Sequence, residues 1–276
     1  MYLYFLNTQA AIIVSFPILV TAALLSQGSW RLRFTLTRDL GIPIGVIFSL
    51  IGMTQMLDWI DDGDAVGPAT AVMLIVIFYA GILSATGYFL LETKWAASDH
   101  HGCVPISFWR PAIVVTSFIL TLLFAIFSGG QAEIFFNKVA ALICGLASVV
   151  ALLVSSPSRR PTNLSRAFLF SSMVAVVAGL IMVFMGDKNS GLFVAGNGLL
   201  YGLIGYVILY IWCVGRAESE TINASLTNWH WMEVTGFFIF MFLAHDTILD
   251  NFQEQEVQQQ IQELQSEIAI LRGGES

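Results

Sequence analysis

The chain has 276 residues, of which 57% are hydrophobic and only 11% are charged, and its mean hydropathy is +0.77. These values exclude an ordinary water-soluble domain and indicate an integral membrane protein. The net charge of −7 argues against a nucleic-acid partner.

Eight apolar stretches are long enough to cross the hydrocarbon core, which takes about 20 helical residues. In chain order they are 6–26, 40–57, 68–91, 111–128, 138–155, 167–185, 193–214 and 231–247. The sequence therefore predicts an all-α, polytopic membrane protein of about eight transmembrane helices. The first stretch lacks basic residues before it and is followed by arginines, so we expect it to be retained rather than cleaved.

Basic and acidic residues alternate between the loops that separate these stretches. The basic segments are 27–39, 92–110, 156–166 and 215–230. The short segments between them are mainly acidic and are 58–67, 129–137 and 186–192. Because basic residues near helix ends favour the cytoplasmic side, both termini are predicted to lie outside the cytoplasm and the arginines inside it.

The third stretch is preceded by an acidic hairpin that contains Asp61, Asp62 and Asp64. One interpretation is a solvated capping turn, because acidic side chains suit the positive end of a helix dipole. The other is a vestibule that attracts cations. The residues alone leave both interpretations open.

An internal repeat relates the two halves of the chain. "FLNTQAAIIVSFPILVTAALLSQ" from Phe5 and "FFNKVAALICGLASVVALLVSSP" from Phe135 share an aromatic-x-Asn start and a helix of matching length. Each is followed by an arginine segment, a helix, a hairpin, and a helix with a tyrosine and a small residue at its centre, at Tyr79 and Tyr201. The extra stretch 111–128 gives both copies the same orientation, so the repeat is parallel. The alternative is that apolar helices resemble one another by composition alone.

The segment "DLGIPIGVIFSLIGMTQMLDWIDDGDAVGPATAVMLIVIFYAG", 39–81, resembles the last two transmembrane helices of the MotA/TolQ/ExbB family of ion-channel subunits. The matching positions are Pro43, Gly45, Ser49, Gly52, Asp61, Asp62, Gly67, Pro68, Ala71, Val72, Tyr79 and Ala80. The region from 113 to 157 is similar to the first two helices of MotA-like stators. The resemblance implies one family repeat in residues 1–110 and a second in residues 111–227.

This resemblance also implies a location and partners. Members of this kind lie in the bacterial inner membrane, transport H⁺ or Na⁺, and form homo-oligomers or complexes with a single-pass periplasmic subunit. The chain departs from the family pattern where hydroxyls line the ion route: Ser49 keeps one, but Val76 and Ile77 occupy the paired-threonine site. The arginine segments are also too short to form the large cytoplasmic domain of the stators.

The last apolar stretch, within residues 228–248, resembles the single helix of MotB-type partner subunits. Glu233 takes the place of their ionisable carboxylate and Thr235 follows it, which implies a site that binds a proton or a sodium ion. The other interpretation is that Glu233 reaches the inner interface beside Trp229 and Trp231, which form an aromatic belt.

Residues 249–276 contain a short heptad pattern. Its apolar positions are Val257, Ile261, Leu264, Ile268 and Leu271. The pattern predicts an extracytoplasmic coiled coil that mediates oligomerisation. Because a helix of this length is marginal alone in water, we expect it to need further copies or a partner.

Small and aromatic residues in the apolar stretches predict close helix packing. The predicted packing positions are Gly45, Gly52, Pro68, Tyr79, Gly198, Tyr201 and Gly202. The cysteines, 3 in number, lack the spacing of a metal site. No hydrolase motif, zinc motif or intramembrane lysine for retinal occurs, so we expect neither an enzyme nor a bound cofactor.

Two functions of different classes remain from the sequence. The first is a subunit of an ion-driven or ion-conducting complex of the MotA/TolQ/ExbB kind. The second is a non-conducting membrane scaffold that oligomerises and presents its coiled coil to a partner.

Overall fold

A computed structural model describes most of the membrane part of the chain. The described residues are 8–26, 29–58, 63–92, 108–128, 132–156, 160–215, 235–241, 244, 257, 260–261 and 264–265. Within these ranges, the side chains of 57–58, 63–69, 162 and 215 are not described. The predicted sites at Asp61, Asp62, Glu233, Ile268 and Leu271 lie outside the described residues or atoms.

The described residues are mainly helical. The helices are α1 (Thr8–Leu25), α2 (Trp30–Asp58), α3 (Gly63–Leu91), α4 (Trp109–Ser128), α5 (Lys138–Val154), α6 (Arg160–Phe184) and α7 (Lys188–Gly215). A 3-10 turn, Ala132–Phe135, precedes α5. A further helical segment, 235–241 with residue 244, is called the terminal helix here.

In the described part of the chain, 7 helices are long and apolar enough to cross a membrane. They coincide with the first seven predicted stretches, which confirms the prediction of an all-α, multi-pass membrane protein. The eighth predicted crossing coincides with the terminal helix, of which the structure describes only part.

The helices α2 and α7 form the centre of the bundle. Most residues of these two spans are buried, whereas fewer than half of the residues of each of the other five are buried. α2 packs against α3, α7 packs against α6, and α2 and α7 contact each other. α1 contacts α2 and α3, and α5 contacts α6 and α7, so each half consists of three mutually contacting helices. α4 packs on α1, α2 and α7.

Two helices begin earlier than the hydropathy pattern predicts. α2 begins at Trp30 and α6 at Arg160, so most of the segments 27–39 and 156–166, predicted as loops, are helical. The polar start of α2 is stabilised by side-chain contacts: Nε of Arg33 donates to Oγ of Ser26 at 2.8 Å, and the Arg33 guanidinium lies 4.7 Å from the centre of the Trp30 ring. An arginine stem can lie along apolar surface while its charge is satisfied at the membrane boundary, which is why the helix continues through these residues.

Small residues bring the helices of both hairpins into contact. A Cβ atom added at Gly45 of α2 would lie 2.2 Å from Cβ of Ala80 in α3. In the other hairpin, a Cβ at Gly202 of α7 would lie 2.5 Å from Cβ of Ser172 in α6. Since real Cβ atoms do not approach this closely, both packings require glycine at these places.

The terminal helix packs on the α6–α7 hairpin. A Cβ at Gly196 would lie 2.7 Å from Cζ of Phe240, and a Cβ at Gly236 would lie 2.8 Å from Cε of Met173. Phe237, Phe240 and Ala244 are buried, whereas Phe238 and Ile239 are exposed. One face of this short helix therefore belongs to the core of the bundle.

Candidate intramembrane site

Asp39 is a carboxylate inside the membrane-spanning length of α2. Its side chain is only 9% exposed. The Tyr210 hydroxyl of α7 donates to its Oδ2 at 2.7 Å, and Nε of Arg38 donates to its Oδ1 at 2.6 Å. Both carboxylate oxygens therefore have a hydrogen-bond partner, and one of them connects the two central helices.

The surroundings of this carboxylate are buried and hydrogen-bonded. Tyr210 is 2% exposed, and its ring packs on the fully buried ring of Tyr206 with a centroid distance of 5.9 Å. The Ser84 hydroxyl of α3 donates to the Arg38 carbonyl oxygen at 2.7 Å. Three helices thus hold the Arg38–Asp39 pair in place.

The chemistry of this site follows from its burial. A charge in a low-dielectric interior is costly unless it is paired and hydrogen-bonded, and Asp39 has both kinds of partner. To take up a proton or a cation, the carboxylate would have to exchange its ion pair with Arg38. Ionisable groups inside membrane spans commonly mark proton or ion pathways, so Asp39 with Tyr210 forms the candidate site.

Ser49, predicted to bind an ion, lies elsewhere on α2. It is about 15 Å further along the helix from Asp39. Its hydroxyl is fully buried and donates to the Met73 carbonyl oxygen of α3 at 2.8 Å. Ser49 therefore ties α2 to α3, and its role in ion binding stays a prediction.

The remaining predicted ion-binding residue with a described position is Thr235. It begins the described part of the terminal helix and is exposed. The structure does not bring Thr235, Ser49 and Asp39 into one described cluster.

The predicted packing residues take different positions. Gly45, Gly198 and Gly202 lie at close contacts, with a Cβ at Gly198 falling 2.1 Å from Cβ of Ala175. A Cβ at Gly52 would meet nothing within 4 Å, so this glycine makes no close helix contact. Tyr79 is half-buried in α3, and Pro68 lies in the first part of α3, where side chains are not described.

Tyr201 anchors the turn before α5. Its hydroxyl donates to the Phe135 carbonyl oxygen and accepts from the Asn137 backbone N–H at 3.0 Å. The nearby Asn197 side chain is fully buried and donates to the Ile134 carbonyl oxygen at 2.9 Å. Asn137 in turn caps α5, because its Oδ1 accepts from the N–H groups of Val139 and Ala140.

The acidic hairpin and the tail are described only in part. Asp64 is the second residue of α3, so it falls in the first helical turn, as the capping interpretation requires of the backbone. Of the heptad positions, Val257, Ile261 and Leu264 are helical and exposed. Their assembly into a coiled coil stays a prediction.

Sequence reasoning missed Asp39, because it was assigned to a basic loop with the arginines around it. The sequence held a sign of the Asp39–Tyr210 contact in both helices. Asp39 directly precedes an unbroken apolar run, and Tyr206 and Tyr210 are spaced by one helical turn in α7. A charged residue next to an apolar run can belong to the same membrane-spanning helix when another helix supplies a polar group that bonds to it.

Comparison with known proteins gives a short similarity. A stretch of 56 residues is 39% identical to the chemotaxis protein PomA of Vibrio alginolyticus. The match covers 20% of this chain and 22% of that protein, so the chain spans about a fifth of the length of the curated relative it matches. No family model and no solved structure matches the chain. The protein is thus a multi-pass membrane protein with a segment similar to a chemotaxis protein.

Proposed function

We propose that the protein is a subunit of an ion-driven or ion-conducting complex in the bacterial inner membrane, of the MotA/TolQ/ExbB kind. A proton or sodium gradient would move one set of helices against another. The observation that carries this proposal is the buried Asp39, whose partners lie on both central helices. The similarity to PomA, a chemotaxis protein, supports the link to the motility members of that family.

The proposal includes two family repeats, in residues 1–110 and 111–227. It is supported by the equivalent contacts of the two hairpins. When Tyr79 is aligned with Tyr201, Ala80 corresponds to Gly202, and each of these residues makes a close contact with the preceding helix of its own half. The contacting residue on the preceding helix is Gly45 for Ala80 and Ser172 for Gly202.

The terminal helix would take the part of a MotB-type helix within the same chain. Its packing on α6 and α7 supports this role, because Phe240 lies against Gly196 and Gly236 against Met173. Glu233 and Thr235 remain the residues proposed to bind the ion. A homo-oligomer, or a complex with a separate single-pass subunit, would complete the assembly.

A non-conducting scaffold is the second candidate, and a specific observation favours it. All serine and threonine hydroxyls with described side chains in α2 and α3 donate hydrogen bonds within the bundle. These residues are Thr35, Thr37, Ser49, Thr54, Thr70, Ser84 and Thr86. These bonds fix the hydroxyls in place within and between the helices, as the packing of a structural scaffold requires.

Ion flux separates the two candidates. The full chain is reconstituted in liposomes that contain a pH- or sodium-sensitive dye, and wild type is compared with Glu233→Gln and Asp39→Asn. The matched control is Glu133→Gln, a carboxylate exposed on the 3-10 turn. Flux in the wild type and in Glu133→Gln that is lost in Glu233→Gln and in Asp39→Asn supports the ion-driven subunit. Absence of flux in wild-type oligomers that remain intact favours the scaffold.

A further inference from the structure

An open groove lies between α1 and α4. Its volume is about 450 Å³, and its walls include Phe16 of α1 and Trp109, Ile113 and Leu120 of α4. The side chains of Phe16, Ile113 and Leu120 are 48%, 54% and 61% exposed. Because both helices are long and apolar enough to span a membrane, this exposed apolar groove faces the lipid.

The groove exists because small side chains line the middle of α4. Ala112, Thr116 and Ser117 lie on its walls, and they leave space that larger residues would fill. The Thr121 hydroxyl donates to the Ser117 carbonyl oxygen at 2.9 Å, so its polarity is satisfied within the helix. Most of the lining surface is apolar, so it is suited to a hydrocarbon chain.

The length of the groove matches one leaflet. Its walls extend along α4 from Trp109 to Thr121, which is about 18 Å of helix. Half of the hydrocarbon core of a bilayer is about 15 Å. One turn beyond Leu120 on the same face, the large side chain of Phe124 projects outward and is 65% exposed. A transmembrane helix would need a continuous face about 20 residues long, whereas one acyl chain fits this length.

The end of the groove at Trp109 carries positive charge. Trp109 is 71% exposed, and the neighbouring Arg110 is also exposed. α1 ends and α2 begins at this same end, where Ser26 contacts Arg33. Asp39, the nearest acidic residue along α2, is already paired with Arg38. This end of the groove therefore complements an anionic headgroup.

We propose that the groove binds one acyl chain of an anionic phospholipid, with the phosphate of its headgroup at Arg110. The lipid lies in the leaflet at the arginine end of the bundle. Trp109 contacts the glycerol region at the boundary between chain and headgroup, as aromatic residues commonly do at membrane interfaces. The bound lipid fills the space between α1 and α4.

The test is lipid binding to the full chain, purified in detergent and analysed by native mass spectrometry. Phosphatidylglycerol and phosphatidylcholine with identical acyl chains are titrated separately. We expect wild type to bind phosphatidylglycerol about fivefold more tightly, the effect of one arginine near an anionic headgroup. Arg110→Gln should lower the phosphatidylglycerol affinity to that of phosphatidylcholine. Its control is Arg160→Gln, an exposed arginine that begins α6, a helix that contributes no residue to the groove, whereas Arg110 adjoins the lining residue Trp109.

A second variant tests the acyl chain. Thr116→Phe fills the groove and should lower the affinity for both lipids about tenfold. This is the effect of losing roughly two buried CH₂ groups. Leu146→Phe, at a lipid-exposed position of α5, should leave both affinities unchanged. Equal binding of the two lipids by wild type, or equal losses in Arg110→Gln and Arg160→Gln, would overturn the proposal. Unchanged lipid binding in Thr116→Phe, together with fewer chains per complex, would instead make the groove a contact between copies.

Discussion

The α2–α3 hairpin and the α6–α7 hairpin both bring their helices into close contact, but at the contacts made by Ala80 and Gly202 they place glycine on opposite helices. In the first hairpin Gly45 of the leading helix meets Ala80; in the second, Ser172 of the leading helix meets Gly202. The comparison teaches that the contact limits the combined size of the two residues and leaves open which helix carries the glycine. Four predictions test this comparison and the other differences between the halves.

The largest effect is expected from adding a methyl group at either contact. Gly45→Ala and Gly202→Ala should each lower the free energy of unfolding by about 3 kcal/mol, because the added Cβ overlaps a Cβ on the facing helix. Thermal unfolding in detergent, followed by tryptophan fluorescence, measures the loss. The double variant Gly45→Ala with Ala80→Gly moves the methyl group to the other helix, as in the second hairpin, and should recover most of the stability.

The matched control for this prediction is Gly81→Ala, since a Cβ there meets nothing within 4 Å. It should change stability by less than about 1 kcal/mol, with a small gain in helix propensity. A double variant as unstable as Gly45→Ala alone would show that the two hairpins do not share this rule.

The second-largest effect is expected at the contact between Asp39 of α2 and Tyr210 of α7. Asp39→Asn should cost about 2 kcal/mol, less than the loss of a fully buried ion pair, because the Arg38 side chain is 30% exposed. Tyr210→Phe should cost about 1 kcal/mol, the worth of one hydrogen bond. The double variant should lose less than the sum of the two, and a double-mutant cycle measures this coupling. Strictly additive losses would mean that the carboxylate and the hydroxyl act independently.

The third prediction concerns the turn before α5. Tyr201→Phe removes the hydroxyl that donates to Phe135 and accepts from Asn137, and it should cost about 1–2 kcal/mol. Faster hydrogen exchange of the Asn137 amide would localise the effect. Tyr88→Phe, at a position 51% exposed, serves as the control and should melt like wild type. If Tyr201→Phe melts at the wild-type temperature, the Tyr201 hydroxyl does not stabilise the turn.

The smallest effect is expected at the N-cap of α5. Asn137→Ala should cost about 1 kcal/mol, because the side-chain oxygen that accepts from Val139 and Ala140 is lost. Asn137→Asp keeps an accepting oxygen and should stay close to wild type in the same unfolding experiment. If aspartate proves as costly as alanine, the cap is not the source of the stability.

Much of the fold could be predicted because a membrane span needs a long apolar stretch, and hydropathy measures this directly. The seven spans were found in this way. The start of α2 was missed, since hydropathy treats Arg31, Arg33 and Asp39 as loop residues. Two of these side chains bond to groups outside α2: Arg33 to Ser26, just after α1, and Asp39 to Tyr210 of α7, which is distant in the sequence.

The candidate site was less predictable than the fold for the same reason. Ser49 was selected by resemblance, yet its hydroxyl bonds to a carbonyl of α3. Asp39 has no local motif beyond the adjacent Arg38, and its bond to Tyr210 exists only because α2 packs on α7. The residue pattern of α2 alone does not reveal that Asp39 will meet Tyr210, because that contact depends on how α2 packs against α7.

The terminal helix has one further consequence. It belongs to the same polypeptide as the α6–α7 hairpin on which it packs, so synthesis itself fixes the stoichiometry at one such helix for each bundle. Covalent linkage also gives the helix a high effective concentration at its binding face, and a helix that dissociates returns without a search through the bilayer. Free competitor helices would therefore occupy this position only to a small extent, even at high expression levels.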